Sequence, residues 1–462
     1  MSMNDWSRRN FLKLGLSGLS LPQFLTLRAQ GVVSRRKAAA QGFGSAKSCI
    51  VLFAWGGLSH LDTFDMKPNA PANVRSQFKE IGTDVPGIRI GEHLPGFARM
   101  MKEWAVVRSA HHNAPSHRSG AYWNLTGHEP PNTSGNWPAS RDDWPSLGSM
   151  VWEALGDGRG PIPGAVALPY TLYDGGVANG QDGGFLGLGR DPVVLRPTGK
   201  KLREYGGVSP TSGRVDLGLP DGLDAKRLDG RRGLMLNLEA GAAKVGQAES
   251  NAVVRSRDRA LDMLLSPKAR DAFDLEKESA KTREQYGMHI CGQSLLTARR
   301  LVEAGVPIAT VYCAAGDLNG SKGDHFDTHA NNFNRLKDNM LPPLDQAASA
   351  LIADLKARGL LEETLVVLLT EFGRTPKING GAGRDHFPDC YSVAYAGAGI
   401  QGGQLYGSSD NLGAKPAEKG CGPADLHATI FHALGIDPGH MIMDRNSRPL
   451  PLCDGKPLPL FT

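Results

Sequence analysis

Apolar runs too continuous to face water on either side are the feature that most limits how this chain can fold. "SCIVLFAW" (48–55), "WAVVRSA" (104–110), "GAVALPY" (164–170), "VPIATVYCA" (306–314), "TLVVLLT" (364–370) and "YSVAYAG" (391–397) all have strand length. Unbroken hydrophobicity, as opposed to alternation, marks strands covered on both faces, as in a parallel sheet flanked by helices. Helical periodicity fills the intervals. "SLLTARRLVEAG" leads into the strand at 306, and "MLPPLDQAASALIADLKARGLL" leads into the strand at 364, with Gly359 as a stop signal. Such strand–helix–strand alternation predicts an α/β fold with a largely parallel sheet. Residues 195–285 break the pattern: charged, helix-forming and poor in apolar runs, they read as a helical insertion or cap.

Open α/β sheets bind ligands beyond the carboxyl ends of their strands, and ionisable residues gather there in this chain. "WGGLSHLDTFDMKP" supplies His60, Asp62 and Asp65, and "SAHHNAPSHRSGAYWNLTGHEP" supplies His111, His112, His117 and Arg118. "GDHFDTHANNF" adds His325, Asp327 and His329, while "LVVLLTEFGRTPKINGGAGRDH" adds Glu371, Arg374, Asp385 and His386. Carboxylates and imidazoles crowded at one edge are costly to desolvate unless they are paired or hold cations. One or two divalent metal ions are therefore expected, and a mixed Asp/Glu/His donor set suits zinc, manganese or iron better than calcium. Two ions close together could hold both the attacking and the leaving oxygen of a displacement.

The candidates differ in what their spacing implies. Asp327 and His329 are two residues apart, so an extended segment points both the same way, as ligands would. Glu371 directly follows an apolar strand. Asp385 and His386 are adjacent and diverge in an extended segment, so one of them meets the ion and the other supports it or pairs with Arg384. His60, taken alone, reads equally as a residue of a turn.

Composition removes other classes. The 52 basic residues face 47 acidic ones, for a formal charge of +5, without a long basic run, which excludes a nucleic-acid footprint. The six cysteines are scattered without a CxxC pair, which argues against a zinc–thiolate site. Cys49 and Cys313 fall in strands and read as small buried hydrophobes. Beyond the first thirty residues no apolar run is long enough to span a bilayer.

At the amino terminus Ser7–Lys13, "SRRNFLK", with Arg8 and Arg9, resembles a twin-arginine export signal. The resemblance implies a signal peptide over 1–30, a polar linker over 31–45 and a single domain over 46–462. It also implies periplasmic or exported localisation after folding, with membrane contact only through an uncleaved signal. In their order, the later segments resemble the alkaline phosphatase and sulfatase superfamily. Within it the chain is similar to the exported family called domain of unknown function 1501, most specifically in "GGLSHLDTFDMKP", "DTHANNF", the segment 351–386 and "DLHATIFHALGID".

That resemblance implies an alkaline-phosphatase-like three-layer sandwich, with a mostly parallel central sheet and a metal site at its carboxyl edge. Asp327 and His329 match ligands on the loop before the long helix. Glu371 stands where an Asp ligand is usual, Phe372 replaces its partner His, and His386 matches a later single His ligand. The early part departs from the pattern: Trp55, Gly56 and Gly57 follow the first strand, and Asp62 comes only later. Counted back from Leu125-Thr126-Gly127, the nucleophile position falls on His117, flanked by Ser116 and Ser119. His117 could then be a ligand, a nucleophile or a remnant beside a metal-activated water, the last being the preferred reading. The implied activity is metal-dependent hydrolysis of a phosphate or sulfate ester, with Arg374 or Arg118 stabilising the anion. An anionic substrate such as a sulfated or phosphorylated glycan would fit. The alternatives are a non-catalytic exported binding protein on the same scaffold, or a purely structural metal.

Overall fold

The computed structural model describes residues 41–462 apart from 136, 158–161, 196–226, 229, 232, 234–265 and 320–322. The expected signal peptide lies outside the described residues, as do most of the linker and most of the 195–285 insertion. Two short helices, Pro267–Phe273 and Ala280–Tyr286, belong to the described end of that insertion.

The apolar runs become strands β1 (Ser48–Phe53), β2 (Trp104–Ala110), β3 (Val166–Leu168), β5 (Ile308–Tyr312), β6 (Thr364–Leu369) and β7 (Tyr391–Ala396). Two short pieces that carry no comparable run, β4 (Val193–Val194) and β8 (Gln404–Tyr406), close the edges. Together they form one eight-stranded sheet in the order β8–β2–β7–β6–β1–β5–β3–β4. Every residue of β1, β6 and β7 is buried, as strands covered on both faces must be.

Pairing is parallel throughout, except that β7 runs antiparallel to both β2 and β6. In register, Phe53 at the end of β1 meets Tyr312 at the end of β5 and Leu369 at the end of β6. The segments that follow these three strands therefore leave the sheet side by side. The reversal of β7 places its first residue, Tyr391, opposite Ala110, the last of β2. As a result the loop preceding β7 reaches the same edge as the loops following the other strands.

Helices α1 (His117–Thr126) and α2 (Leu147–Leu155) cover one face, where Leu125 and Leu147 meet Val51, Tyr312 and Leu369. Helices α3 (Ile290–Glu303) and α4 (Leu341–Ala357) pack on each other, and α3 packs on β1 and β5. In α4 the buried Leu344, Ala348, Leu351, Ile352 and Leu355 follow the helical repeat, and its prolines occupy the first turn, where a missing N–H is harmless. The result is the mixed α/β class with a large, mostly parallel sheet. All six cysteines are buried and free.

Helix α5 (Pro423–Ala433) closes the fold against the end of α1. Gly127 ends α1 at φ 75°, a left-handed conformation that glycine adopts without penalty, and a Cβ there would lie 2.8 Å from the His427 ring. His427 is buried and donates from Nε2 to the Asn124 carbonyl at 2.9 Å. His128 stacks on Trp144 with ring centroids 3.4 Å apart and donates to the Leu452 carbonyl at 2.8 Å. Burial pushes both imidazoles down to about 4. Unfolded histidine titrates near ~6.5, so between these values the unfolded chain binds protons that the folded chain refuses. The stabilisation is complete above the unfolded value and is lost as pH falls toward the folded one. The melting temperature should accordingly drop between pH 7 and pH 5, and His427→Gln should flatten that slope in a thermal scan.

Candidate metal centre

The turn after β1 sets the geometry. Gly56 and Gly57 have φ of 109° and 84°, and a Cβ on Gly56 would stand 2.4 Å from the Asp327 backbone nitrogen. Only glycine lets these two loops touch. The Gly56 N–H donates to Glu371 Oε1 at 2.7 Å, tying the end of β1 to the end of β6. Arg374, fully buried, bonds the carbonyls of Gly56, Gly57 and Arg384 and reaches Asp327 Oδ1 at 2.7 Å. A short ribbon pairs Gly373–Arg374 with His386–Phe387, which holds His386 beside the end of β6.

Around Asp327 Oδ1 three imidazole nitrogens converge: Nε2 of His117 at 3.3 Å, of His329 at 3.1 Å and of His386 at 3.2 Å. The other nitrogen of each ring is held from behind. His117 Nδ1–H donates to Glu371 Oε1 at 2.8 Å, His329 Nδ1–H to Asp385 Oδ1 at 2.7 Å, and His386 Nδ1–H to the Pro115 carbonyl at 2.7 Å. With protons fixed at Nδ1, the Nε2 lone pairs aim at one place. Metal-binding histidines are oriented in this manner.

Electrostatics follow from this crowding. Burial works to raise the Asp327 pKa, but the three imidazoles and Arg374 outweigh it and hold the carboxyl far below its usual range. Burial alone would lower His117; hydrogen bonds and charge from Asp327 and Glu371 prevail and raise it. His329 is raised chiefly by its bond to Asp327, and burial lowers His386 to about 4. Nε2 of His329 also lies 2.9 Å from Nε2 of His386, so only one of the two can hold a proton between them. Nε2 of His117 is buried and faces Asp327 Oδ1 at 3.3 Å.

This donor set fits a divalent ion. Ligand atoms of His117, Asp327 and His386 all lie within 4.8 Å of one another, and His329 adds a fourth on the solvent side, with 46% of its side chain exposed. Imidazole nitrogens and a carboxylate oxygen are the donor types of divalent transition-metal sites. Phe372 packs 5.0 Å from the His117 ring and 4.7 Å from the His386 ring, and Trp55 lies 5.4 Å from His117. These rings keep water from the inner side of the cluster.

Of the residues singled out from the sequence, Asp327, His329, His386 and His117 come together. Glu371 lies behind His117 and Asp385 behind His329, each holding an imidazole and neither at the centre. Asp62 is elsewhere: fully buried, it meets Arg384 at 2.9 and 3.2 Å, Ser59 at 2.6 Å and Asn332 at 3.0 Å. Its charge is already paired with a buried guanidinium, and it is not among the groups that gather around Asp327. His60 donates to the Gly413 carbonyl at 2.8 Å and packs against Gly373, away from the cluster. Arg118 bonds Asn179 at 3.0 Å and the Trp137 carbonyl. The four oxygens that take the N–H groups of Arg374 leave it to position Asp327 instead of meeting a substrate anion. Sequence reasoning missed the Pro115 carbonyl and Asn379, which bonds both the His329 carbonyl at 2.9 Å and Asp385 at 3.2 Å. A backbone acceptor leaves no residue-type signal, and a loop asparagine leaves little.

The two kinds of carboxylate separate experimentally. Glu371→Gln and Asp385→Asn should weaken zinc binding by about 10- to 100-fold, as loss of a histidine's supporting partner does, read by competition with a chromophoric chelator. Asp62→Asn should leave zinc affinity unchanged while destabilising the fold by about 3–5 kcal/mol, the usual effect of stranding one partner of a buried ion pair, read by denaturant unfolding.

Among solved structures, Ps i-CgsB in complex with k-i-k-neocarrahexaose aligns at 11% identity, covering 88% of this chain and 74% of that chain, with a TM-score of 0.37. The PsFucS1 sulfatase from Pseudoalteromonas sp. aligns at 13% identity over 90% and 72% of the two chains, TM-score 0.35. Alkaline phosphatase from the Antarctic bacterium TAB5 aligns at 14% over 80% and 96%, TM-score 0.33. Comparison with curated proteins gives no match. Residues 46–459 match the model described as "Protein of unknown function (DUF1501)", and the chain belongs to that family.

Proposed function

We propose that this chain is an exported metal-dependent hydrolase of a phosphate or sulfate ester. The observation that carries the reading is the convergence of three Nε2 atoms on Asp327 Oδ1, each ring held from behind by its own acceptor. A divalent ion bound there would supply Lewis-acid activation of water and charge neutralisation at the ester. The chain's own part is to prepare the place. Glu371 keeps the proton of His117 on Nδ1, Asp385 does the same for His329, and Arg374 anchors Asp327 against the charge of the rings. Substrate would approach from the side of His329 and Asp385, whose side chains are 46% and 51% exposed. Motifs resembling the phosphatase and sulfatase superfamily narrow the reaction to ester hydrolysis, and a sulfated or phosphorylated glycan is a substrate of that kind.

A non-catalytic binding role is favoured by one specific observation. Ser119, beside the nucleophile position, donates its hydroxyl to the carbonyls of Asn132 and Gly135, both at 2.9 Å, and His117 stands in the position itself. Turnover therefore depends on activated water, without a side-chain hydroxyl from Ser119. In metal-replete protein assayed on aryl phosphates and sulfates, Asp327→Ala and His117→Ala should lose stoichiometric metal and turnover together. Ser119→Ala should keep both. Metal-loaded wild type that turns over none of these esters would leave the binding role.

We also propose that Arg8 and Arg9 direct export. Replacing both with Lys should retain the protein in the cytoplasm, because the recognition depends on more than charge. Cell fractionation reads the outcome.

A further inference from the structure

A second cavity, of about 540 Å³, opens beside α1 and the loop preceding β7. That volume is typical of small-molecule sites, which run from about 300 to 1,000 Å³. Trp123, Pro416 and Pro423 supply apolar surface, and His111, Asp389 and Lys415 stand around it. Trp123 is half-buried, with its ring 5.3 Å from that of His112. The cavity is distinct from the metal centre. His112 stands between them: it lines the cavity and donates from Nε2 to the Glu371 carbonyl at 2.6 Å.

The two charged groups of this cavity, Asp389 and Lys415, are exposed. Neither the Asp389 carboxylate nor the Lys415 ammonium has an ion-pair or hydrogen-bond partner among the described residues, and the Trp123 indole N–H meets no acceptor there. An apolar ligand would cover the aromatic and proline surfaces but make no use of the charges beside them. A small charged ion would satisfy one charge and leave the apolar surface wet. A pyranose ring meets both demands: its C–H face packs on an aromatic or proline surface, and its equatorial hydroxyls both donate and accept. The Asp389 carboxylate can accept from a hydroxyl and the Lys415 ammonium can donate to one.

We propose that this cavity is a saccharide-binding site, in which Trp123 carries the ring and Asp389 and Lys415 grip its hydroxyls. The site does not depend on turnover at the metal centre, so it can be tested in protein stripped of metal by a chelator. The probes are a chondroitin 4-sulfate tetrasaccharide, its desulfated counterpart and cellotetraose, titrated calorimetrically. Binding of at least one is expected. Trp123→Ala should weaken it at least tenfold and Trp123→Phe less, since the ring face is kept. Asp389→Asn and Lys415→Gln lie in exposed positions, leave the helix intact and should each weaken binding severalfold. They keep the test valid even if the Trp123 variants fold poorly. Binding of none of the three probes, or binding that survives Asp389→Asn, Lys415→Gln and Trp123→Ala unchanged, would overturn the proposal. Failure of ester hydrolysis alone would not touch it, because the titration reads no turnover.

Discussion

One carboxylate oxygen, Oδ1 of Asp327, organises the centre, because four nitrogen-bearing side chains reach it from three segments. Such crowding is unstable by default. Imidazoles facing one another repel when protonated, and a buried guanidinium is expensive without acceptors. Each difficulty has a local answer. The charge of Arg374 is spread over three carbonyls and Asp327, and Glu371, Asp385 and the Pro115 carbonyl fix one proton on each ring. What is left over is the set of Nε2 atoms around Asp327, and the buried Nε2 of His117 is its clearest member. A metal ion would resolve that remainder by replacing the protons that the cluster otherwise carries. Binding should therefore release protons and strengthen as pH rises through the imidazole range.

The sheet delivers these groups by two simple means. Parallel strands with matched register end level, so the loops after β1, β5 and β6 begin within reach of each other. His386 comes from a loop before a strand, and would lie at the far edge if β7 were parallel to its neighbours. Reversing that single strand brings it to the same edge as His117, Asp327 and Glu371. The Gly56–Gly57 turn supplies the remaining closeness, since any side chain there would push β1's loop off Asp327.

Hydrophobic continuity made the sheet legible. A strand buried on both faces leaves no polar residue to blur the pattern, and β2 begins and ends where its apolar run does. The edge strands β4 and β8 were illegible because two or three half-exposed residues carry no periodicity. In the site, Asp327 and His329 were readable from their two-residue spacing. Spacing could not separate a group that touches an ion from one that holds the toucher. Glu371 was read as a ligand on the strength of its place after an apolar strand, and that place is equally what is needed to reach His117 from behind. Asp62 was misplaced for a different reason. Its partner Arg384 is 322 residues away in sequence, and no local pattern reveals that a buried carboxylate is already neutralised.

The sequence resemblance puts His117 where a hydroxyl nucleophile is expected, and its surroundings bear on what a histidine can do there. A remnant side chain tends to relax toward solvent or apolar packing. His117 is instead pinned at Nδ1 by a buried carboxylate that the Gly56 N–H also holds, and it is flanked by Trp55 and Phe372. Keeping Glu371 buried is costly unless it is used, and its acceptor capacity is spent on orienting this one ring and the turn after β1. The same geometry limits His117 as a covalent nucleophile: its only free nitrogen faces Asp327 at 3.3 Å, a position from which it can bind an ion but has little room to accept a bulky phosphoryl or sulfuryl group. The environment is one in which His117 could hold an ion, with one more nitrogen aimed at the centre.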